Sequence, residues 1–243
     1  MQPTLRKVIV LSLLLPSLAL LHRSTTAQPR LCNSQSRGTA IAGTLGCGRA
    51  MTTVGTHHQL QNFTANHDYR WGTEELVAGL LWTADQLGPL LGKDRLAIGN
   101  LSKEGGGDLP ETTSHTSGRD VDIPLLMANG EGQHIPSYYH HFDKDGISIS
   151  HGGRYRFDVA RNWKLVESLL QNPHFEIDFL MIYGPLRQML LEHAKQLGVA
   201  QPLQDRAERL LRRPWAGVRP HDNHFHLRIR CPAEDLLSGC RDG

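Results

Sequence analysis

The chain has 243 residues, 39% of them hydrophobic and 21% charged, with a formal charge of +2. That composition excludes a disordered or fibrous chain and suits one ordinary globular domain with a real core. Without Arg6, Lys7 and Arg23, which fall in the leader described next or just before its end, the formal charge becomes −1, so no basic field for nucleic acid remains.

Residues 1–27 read as a secretory signal peptide, leaving 28–243 as the single folded domain. Arg6 and Lys7 precede an apolar stretch from Val8 to Leu21, and Thr25, Thr26 and Ala27 are small residues fit for cleavage. The stretch is interrupted by Pro16 and, at about 14 residues, falls short of the roughly 20 needed to span a bilayer. No later apolar run approaches that length, so no membrane association is expected once the leader is removed. Cys32, Cys47, Cys231 and Cys240 form an even set in an exported chain, which points to disulfides, with sequence neighbours paired. A four-cysteine zinc site would call for a CxxC spacing that the chain lacks.

From Gln28 to Tyr69 the chain is rich in Gly, Ser, Thr and Asn without a sustained period, and is expected to be loops wrapped on the core. A helix is expected from Thr73: the threonine can cap, Glu74 and Glu75 suit the positive end, and Leu76, Leu80, Leu81 and Leu87 make the apolar stripe. It is expected to stop near Gly88-Pro89. Arg95 to Leu101 reads as a short strand and Lys103 to Pro110 as a loop. Asp158 to Gln171 has helical spacing through Val159, Trp163, Val166 and Leu170, closed by Asn172-Pro173. Ile177 to Tyr183 is an apolar strand. Gly184-Pro185 opens a helix with Leu186, Met189, Leu190 and Ala194 on its inner side and Gly198 at its end. Gln204 to Arg213 reads as a short basic helix, and His224 to Arg230 as the last strand. Helices interspersed with non-adjacent strands point to an α+β domain, a small antiparallel sheet flanked by helices and long loops, rather than to a doubly wound sheet.

Two segments carry chemistry. In the last strand, period two puts His224, His226, Arg228 and Arg230 on one face and Phe225, Leu227 and Ile229 on the other. The two imidazoles, about 7 Å apart by strand rise, project into the same space, so one can bind a metal while the other addresses water or substrate. Further upstream, Gly118 marks a turn between His115 and the strand-like Val121-Asp122-Ile123, which lets His115 fold back beside Asp122. One imidazole of the last strand would complete three protein ligands and leave a fourth tetrahedral position open, as catalytic zinc sites do. Any single histidine of the chain's 14 carries little weight alone; the pairing of the two segments carries it. Arg119 and Asp120 read as an ordinary salt pair. Tyr138 to His151 reads as a polar loop near the cleft, and Arg209, Arg212 and Arg213 as a solvated basic helix end.

Thr113-x-His115-x-x-Gly118-x-Asp120-x-Asp122, together with His224-x-His226, resembles the signature of lysostaphin-type, D-Ala-D-Ala and hedgehog-type metallopeptidases. Three longer segments are similar to the penicillin-insensitive murein endopeptidases: residues 117–122, residues 157–163, and residues 222–233. The resemblance runs from about Gly99 to Cys240. It implies Zn2+ held by His115, Asp122 and His226, with His224 and His221 as non-ligand histidines beside the reacting water. It also implies hydrolysis of D-alanyl-meso-diaminopimelyl cross-links in periplasmic peptidoglycan. Thr112 stands where some members carry a further histidine, and the chain has four cysteines where related enzymes can have six. Arg119, Arg154 and Arg156 are candidate partners for substrate carboxylates.

Overall fold

The computed structural model describes residues 34–36, 43–45, 48–110, 112–231, 233–237 and 239–242. The leader read over residues 1–27 lies outside the described residues, as do Cys32 and Cys47. By compactness the chain divides into Met1–Arg30 and Leu31–Gly243, and the fold below belongs to the second unit.

The stretch expected to be loops carries short elements instead. They are β1 (Ser34–Ser36), β2 (Gly43–Leu45), β3 (Arg49–Ala50), β4 (His58–Leu60), the short helix α1 (Asn62–Asn66) and β5 (Trp71–Gly72). Strands of two or three residues are too short to show an alternation, which is why the sequence gives no period there. β1 pairs with β2 and β3 with β5, both antiparallel.

Helix α2 (Glu74–Leu91) starts as its cap predicts, with the Thr73 hydroxyl accepting from the Leu76 amide at 3.2 Å. It does not stop at Gly88-Pro89 but runs on to Gly92. Pro89 removes one ladder bond, to a carbonyl on the exposed Asp85 turn, while burial of Leu87 and Leu91 holds the last turn on the core. Gly92, at φ +65°, then closes the helix by donating its amide to the Gly88 carbonyl. Next, β6 (Leu96–Ile98) is buried throughout and pairs in parallel with β4.

After a long loop come β7 (Asp120–Pro124), β8 (Met127–Ala128), β9 (His134–Ile135) and β10 (Arg156–Phe157), the last three forming a small antiparallel sheet. Helix α3 (Val159–Leu170) is capped by the Asp158 carboxylate and buries Trp163, Val166 and Leu170. Then follow β11 (Ile177–Met181), α4 (Gly184–Gln196), α5 (Gln201–Leu210), β12 (Leu211–Arg212), β13 (His224–Ile229) and α6 (Ala233–Leu236). α5 begins three residues before the expected start, because Pro202 in the first turn lacks an amide that would have no partner there anyway. It also ends earlier: Leu211 turns extended and, 1% exposed, joins the sheet beside Leu180.

The principal sheet has the order β12-β11-β13-β7, antiparallel except for the β11–β12 pair. The fold is therefore α+β with small sheets, as expected, but two pairings, β11–β12 and β4–β6, are parallel where only antiparallel pairing was expected. Val121, Ile123, Phe225, Leu227 and Ile229 are fully buried in the same core cluster as Trp163 and Leu169 of α3, and α3 packs on α2 and α4. Cys231 and Cys240 are joined in a disulfide just after β13. No helix among the described residues is long and apolar enough to cross a membrane.

One buried side chain ties the strand layer to the helices. Asn162 donates to the carbonyls of Leu126 (2.6 Å) and Asp158 (2.8 Å) and accepts from the Leu126 amide at 3.0 Å. Asn162→Ala strands the Leu126 amide in the core, whereas the Leu126 carbonyl keeps its bond from the Asp158 amide at 3.0 Å, and is expected to lower the unfolding free energy by about 1–3 kcal/mol. Urea titration reads this directly; a loss under about 0.5 kcal/mol would put the clamp outside the range for buried unsatisfied groups.

Candidate metal centre

The register of β13 against β7 sets the site. His226 lies opposite Asp122 and Arg228 opposite Asp120, while Phe225 and Leu227 lie opposite Ile123 and Val121. Directly opposed residues share a face, so period two divides the pair into an apolar side and a polar side. Across β11, Met181 faces His226 and Phe179 faces Arg228, and the Phe179 ring stacks on His226 at 5.9 Å between centroids.

His115 arrives from the loop before β7. Gly118, at φ +71°, makes the bend; a Cβ there would lie 2.8 Å from the Leu45 side chain, so the turn requires glycine. The His115 ring is fixed by donation from Nδ1 to the Leu101 carbonyl at 2.9 Å, which turns Nε2 toward the sheet. His226 is fixed in the opposite sense: Nε2 donates to the Asp120 carboxylate at 3.0 Å, and Nδ1 faces the centre.

Three donor atoms thereby converge. His115 Nε2 lies 3.2 Å from Asp122 Oδ1 and 3.3 Å from His226 Nδ1, and His226 Nδ1 lies 3.0 Å from Asp122 Oδ1. An ion held tetrahedrally at about 2.0–2.1 Å sets its ligands about 3.3 Å apart, so the spacing fits a zinc-sized shell. With both imidazoles neutral, each donating its other N–H elsewhere, three lone pairs face one another. Such an arrangement is repulsive unless a proton or a cation lies among them. His115, Asp122 and His226 thus form one candidate metal-holding group; His221, His224 and His226 form another. The first contains a carboxylate, whose charge offsets that of a cation; the second contains none.

His224 and His221 flank the three. His224 Nε2 is 3.4 Å from Asp122 Oδ1, and its side chain, 18% exposed, is more open than that of His115 at 1% or His226 at 4%. Its orientation comes from a directional chain. His224 Nδ1 donates to Asn223 Oδ1, Asn223 Nδ2 donates to His141 Nε2 at 3.3 Å, and His141 Nδ1 donates to Asp222 at 2.7 Å. His221 adopts a left-handed backbone, φ +54°, and donates Nδ1 to the Arg219 carbonyl at 2.6 Å, leaving Nε2 toward the centre. Its ring lies 4.8 Å from that of His224.

The electrostatics follow from burial and pairing. Burial alone would raise the Asp122 carboxyl, but His115, His224 and His226 outweigh it and hold it well below the usual carboxylate range. Burial lowers His224 to about 4, so it is neutral near pH 7. Burial also pulls His226 down, yet its bonds to Asp120 and Asp122 win and lift it to about 9. The centre therefore favours positive charge. Asp120 is itself kept ionised, against its burial, chiefly by Arg228, whose Nε and Nη2 grip it at 2.9 and 2.8 Å.

All five site residues expected from sequence, His115, Asp122, His221, His224 and His226, meet in one cluster. Arg119 does not pair with Asp120: it is fully buried and bonds Asp242 at 2.9 Å and the Ile229 carbonyl at 3.1 Å, out of reach of any substrate. Arg154 and Arg156 are exposed. Asp120, Arg228, Asn223 and His141 are supporting residues that sequence reasoning passed over. Asp120 was signalled by sharing the face of Asp122; His141 carried no signal beyond its place in a polar loop.

Compared with known families, residues 36–242 match the family described as penicillin-insensitive murein endopeptidase. The match begins upstream of Gly99, where the resemblance of the longer segments begins, so it takes in the short strands of the first stretch. No curated protein matches the chain.

The Asp120–Arg228 pair makes a stability prediction. Asp120→Ala leaves a guanidinium buried without a carboxylate and is expected to destabilise by about 3–5 kcal/mol, whereas a hydrophobic replacement of both partners, Asp120→Leu with Arg228→Met, should recover most of the loss. Denaturant midpoints of the single and double variants decide this; a double variant no better than the single one would contradict it.

Proposed function

The chain belongs to the penicillin-insensitive murein endopeptidase family, and from that premise we propose that it is a zinc-dependent endopeptidase that hydrolyses D-alanyl-meso-diaminopimelyl cross-links in peptidoglycan. Murein lies outside the cytoplasm, and we assign the protein to the periplasm. The observation that carries the reading is the convergence of His115 Nε2, Asp122 Oδ1 and His226 Nδ1 within 3.0–3.3 Å of one another. These three would hold the ion, with the Nε2–H of His226 anchored on Asp120 in the way that carboxylates orient metal-binding imidazoles. When bound, zinc would supply Lewis acidity to a water and to the scissile carbonyl.

The remaining work falls to the chain's own histidines. His224 enters neutral, with Nδ1–H committed to Asn223, so its bare Nε2, 3.4 Å from Asp122 Oδ1, is an acceptor beside the donor trio. It would take the proton of the attacking water and return it to the leaving amine. His221 would hold the His224 ring from the side and offer a second acceptor nitrogen to the same space. No serine or cysteine nucleophile takes part, so a β-lactam would find nothing here to acylate.

The test is digestion of purified muropeptide dimers followed by mass analysis, with metal content measured on the same protein. Dimers are expected to yield monomers, chelation to abolish this, and zinc to restore it. His224→Ala should keep its metal while losing roughly 10²–10⁴-fold in turnover; His115→Ala, Asp122→Ala and His226→Ala should lose the metal itself. Full cleavage by metal-free protein, or near-normal turnover by zinc-loaded His224→Ala, would overturn the assignment. Release of terminal D-alanine alone would make the protein a D,D-carboxypeptidase of the same metallopeptidase group, and metal or wall binding without any cleavage would leave a non-catalytic binding protein.

A further inference from the structure

A groove lies on the far side of Phe179 from His226. It has a volume of about 870 Å³ and runs between the start of α4, the end of α5 and the segment after β12. Arg209, Arg212, Arg213 and Trp215 line it and are all exposed, and Glu208 is the lone acidic residue of its wall. Among the described residues none of these three arginines has a carboxylate partner within ion-pair distance.

The groove is shaped by fixed parts. Arg187 donates to the Leu211 carbonyl at 2.6 Å and to the Glu208 carbonyl at 2.9 Å, which binds α4 to the end of α5. The stem of Arg213 lies against Gly184, where an added Cβ would come within 2.9 Å of it. Arg212 sits over the Phe179 ring at 5.6 Å, and Trp215 meets the same ring edge-on at 6.0 Å. Since Phe179 also stacks on His226, one aromatic ring separates the groove from the cluster.

We propose that this groove is a subsite for a carboxylate-bearing peptide, binding the acidic stem of the substrate that extends away from the scissile bond. The inference rests on the hydrolase reading above and names a region of substrate for it. Planar guanidinium groups grip carboxylates in bidentate fashion; Arg212 gives one donor to the Asp178 carbonyl at 3.3 Å, but no carboxylate among the described residues is held by any of the three. Trp215, 48% exposed, gives the strand an apolar surface to lie on beside those charges. A neutral glycan would use the tryptophan but not the arginines, so the charge pattern favours the peptide over the sugar chain.

The experiment is a calorimetric titration of an uncross-linked stem-peptide muropeptide into wild-type protein and into Arg209→Ala/Arg213→Ala. The same ligand with its carboxylates amidated, and a peptide-free glycan oligosaccharide, serve as comparison arms. Wild type is expected to bind the acidic ligand about tenfold more tightly than the double variant. The gap should vanish for the amidated ligand and in 1 M salt, where screening reaches about 3 Å. On cross-linked dimers the double variant should raise KM about tenfold while kcat changes less than twofold. Equal affinity of both proteins for the acidic ligand, or a gap of the same size with the glycan, would overturn the subsite. If wild type cleaves no dimer yet the arginine-dependent binding persists, the groove stands and the hydrolase reading fails; if cleavage proceeds with KM and binding unchanged in the variant, the reverse holds.

Discussion

The site depends on the pairing of β13 with β7. Period two makes this one ladder serve two purposes: Phe225, Leu227 and Ile229 enter the core with Val121 and Ile123, while His226 and Arg228 face Asp122 and Asp120. A slip of one residue would exchange the faces, driving two imidazoles and a guanidinium toward the apolar core and two aliphatic side chains and a phenyl ring into the cluster. The apolar face thus specifies the register, and the register delivers the chemistry. Specification of this kind is strong because the polar face is buried too: five of the six residues of β13, from Phe225 to Ile229, are nearly inaccessible.

Residues that are not on the sheet reach the cluster through backbone constraints. His115 depends on the Gly118 bend, where Leu45 and the Gly72 backbone leave no room for a side chain. His221 depends on a left-handed backbone that a histidine adopts at an expense of order 1–3 kcal/mol. Its carbonyl accepts from the Tyr183 amide at 3.0 Å and its ring donates to Arg219, so two bonds hold the strained turn. The loop around His141 works by a different means, passing orientation through Asn223 to His224 without approaching the donor trio itself.

What could be read from sequence divides along physical lines. The capped helices at Thr73 and Asp158 and the alternation from His224 to Ile229 were legible, because each is set by neighbours within a few residues. That His115 and Asp122 should meet an imidazole of the last strand was legible because a glycine bend and a two-residue period leave few ways to aim those side chains; the choice of His226 over His224 came only from the family resemblance. The short strands before Thr73 were not, since their partners are distant and their length shows no period. The error at Arg119 has an instructive cause: adjacent residues of an extended chain point to opposite faces, so Arg119 and Asp120 could not share a salt bridge across the strand. Alternation alone would have excluded that pair. It could not have supplied the true partners, Asp242 and Arg228, which lie more than a hundred positions away.

Those partners explain which carboxylate remains available to a cation. Arg119 is neutralised from the C-terminal tail, where the Cys231–Cys240 disulfide turns the chain back and Asp242 accepts from both Arg119 and the Cys231 amide. Arg228 is neutralised by Asp120. Each buried guanidinium therefore has its own acid, and neither draws on Asp122. The ion-pair partners of Asp122 among the described residues are all imidazoles, His115, His224 and His226, groups that can give up a proton where a guanidinium cannot. Two fixed ion pairs at the edges of the cluster thus leave one carboxylate at its centre whose charge can be answered by a metal, and this follows from the tail and the strand register together.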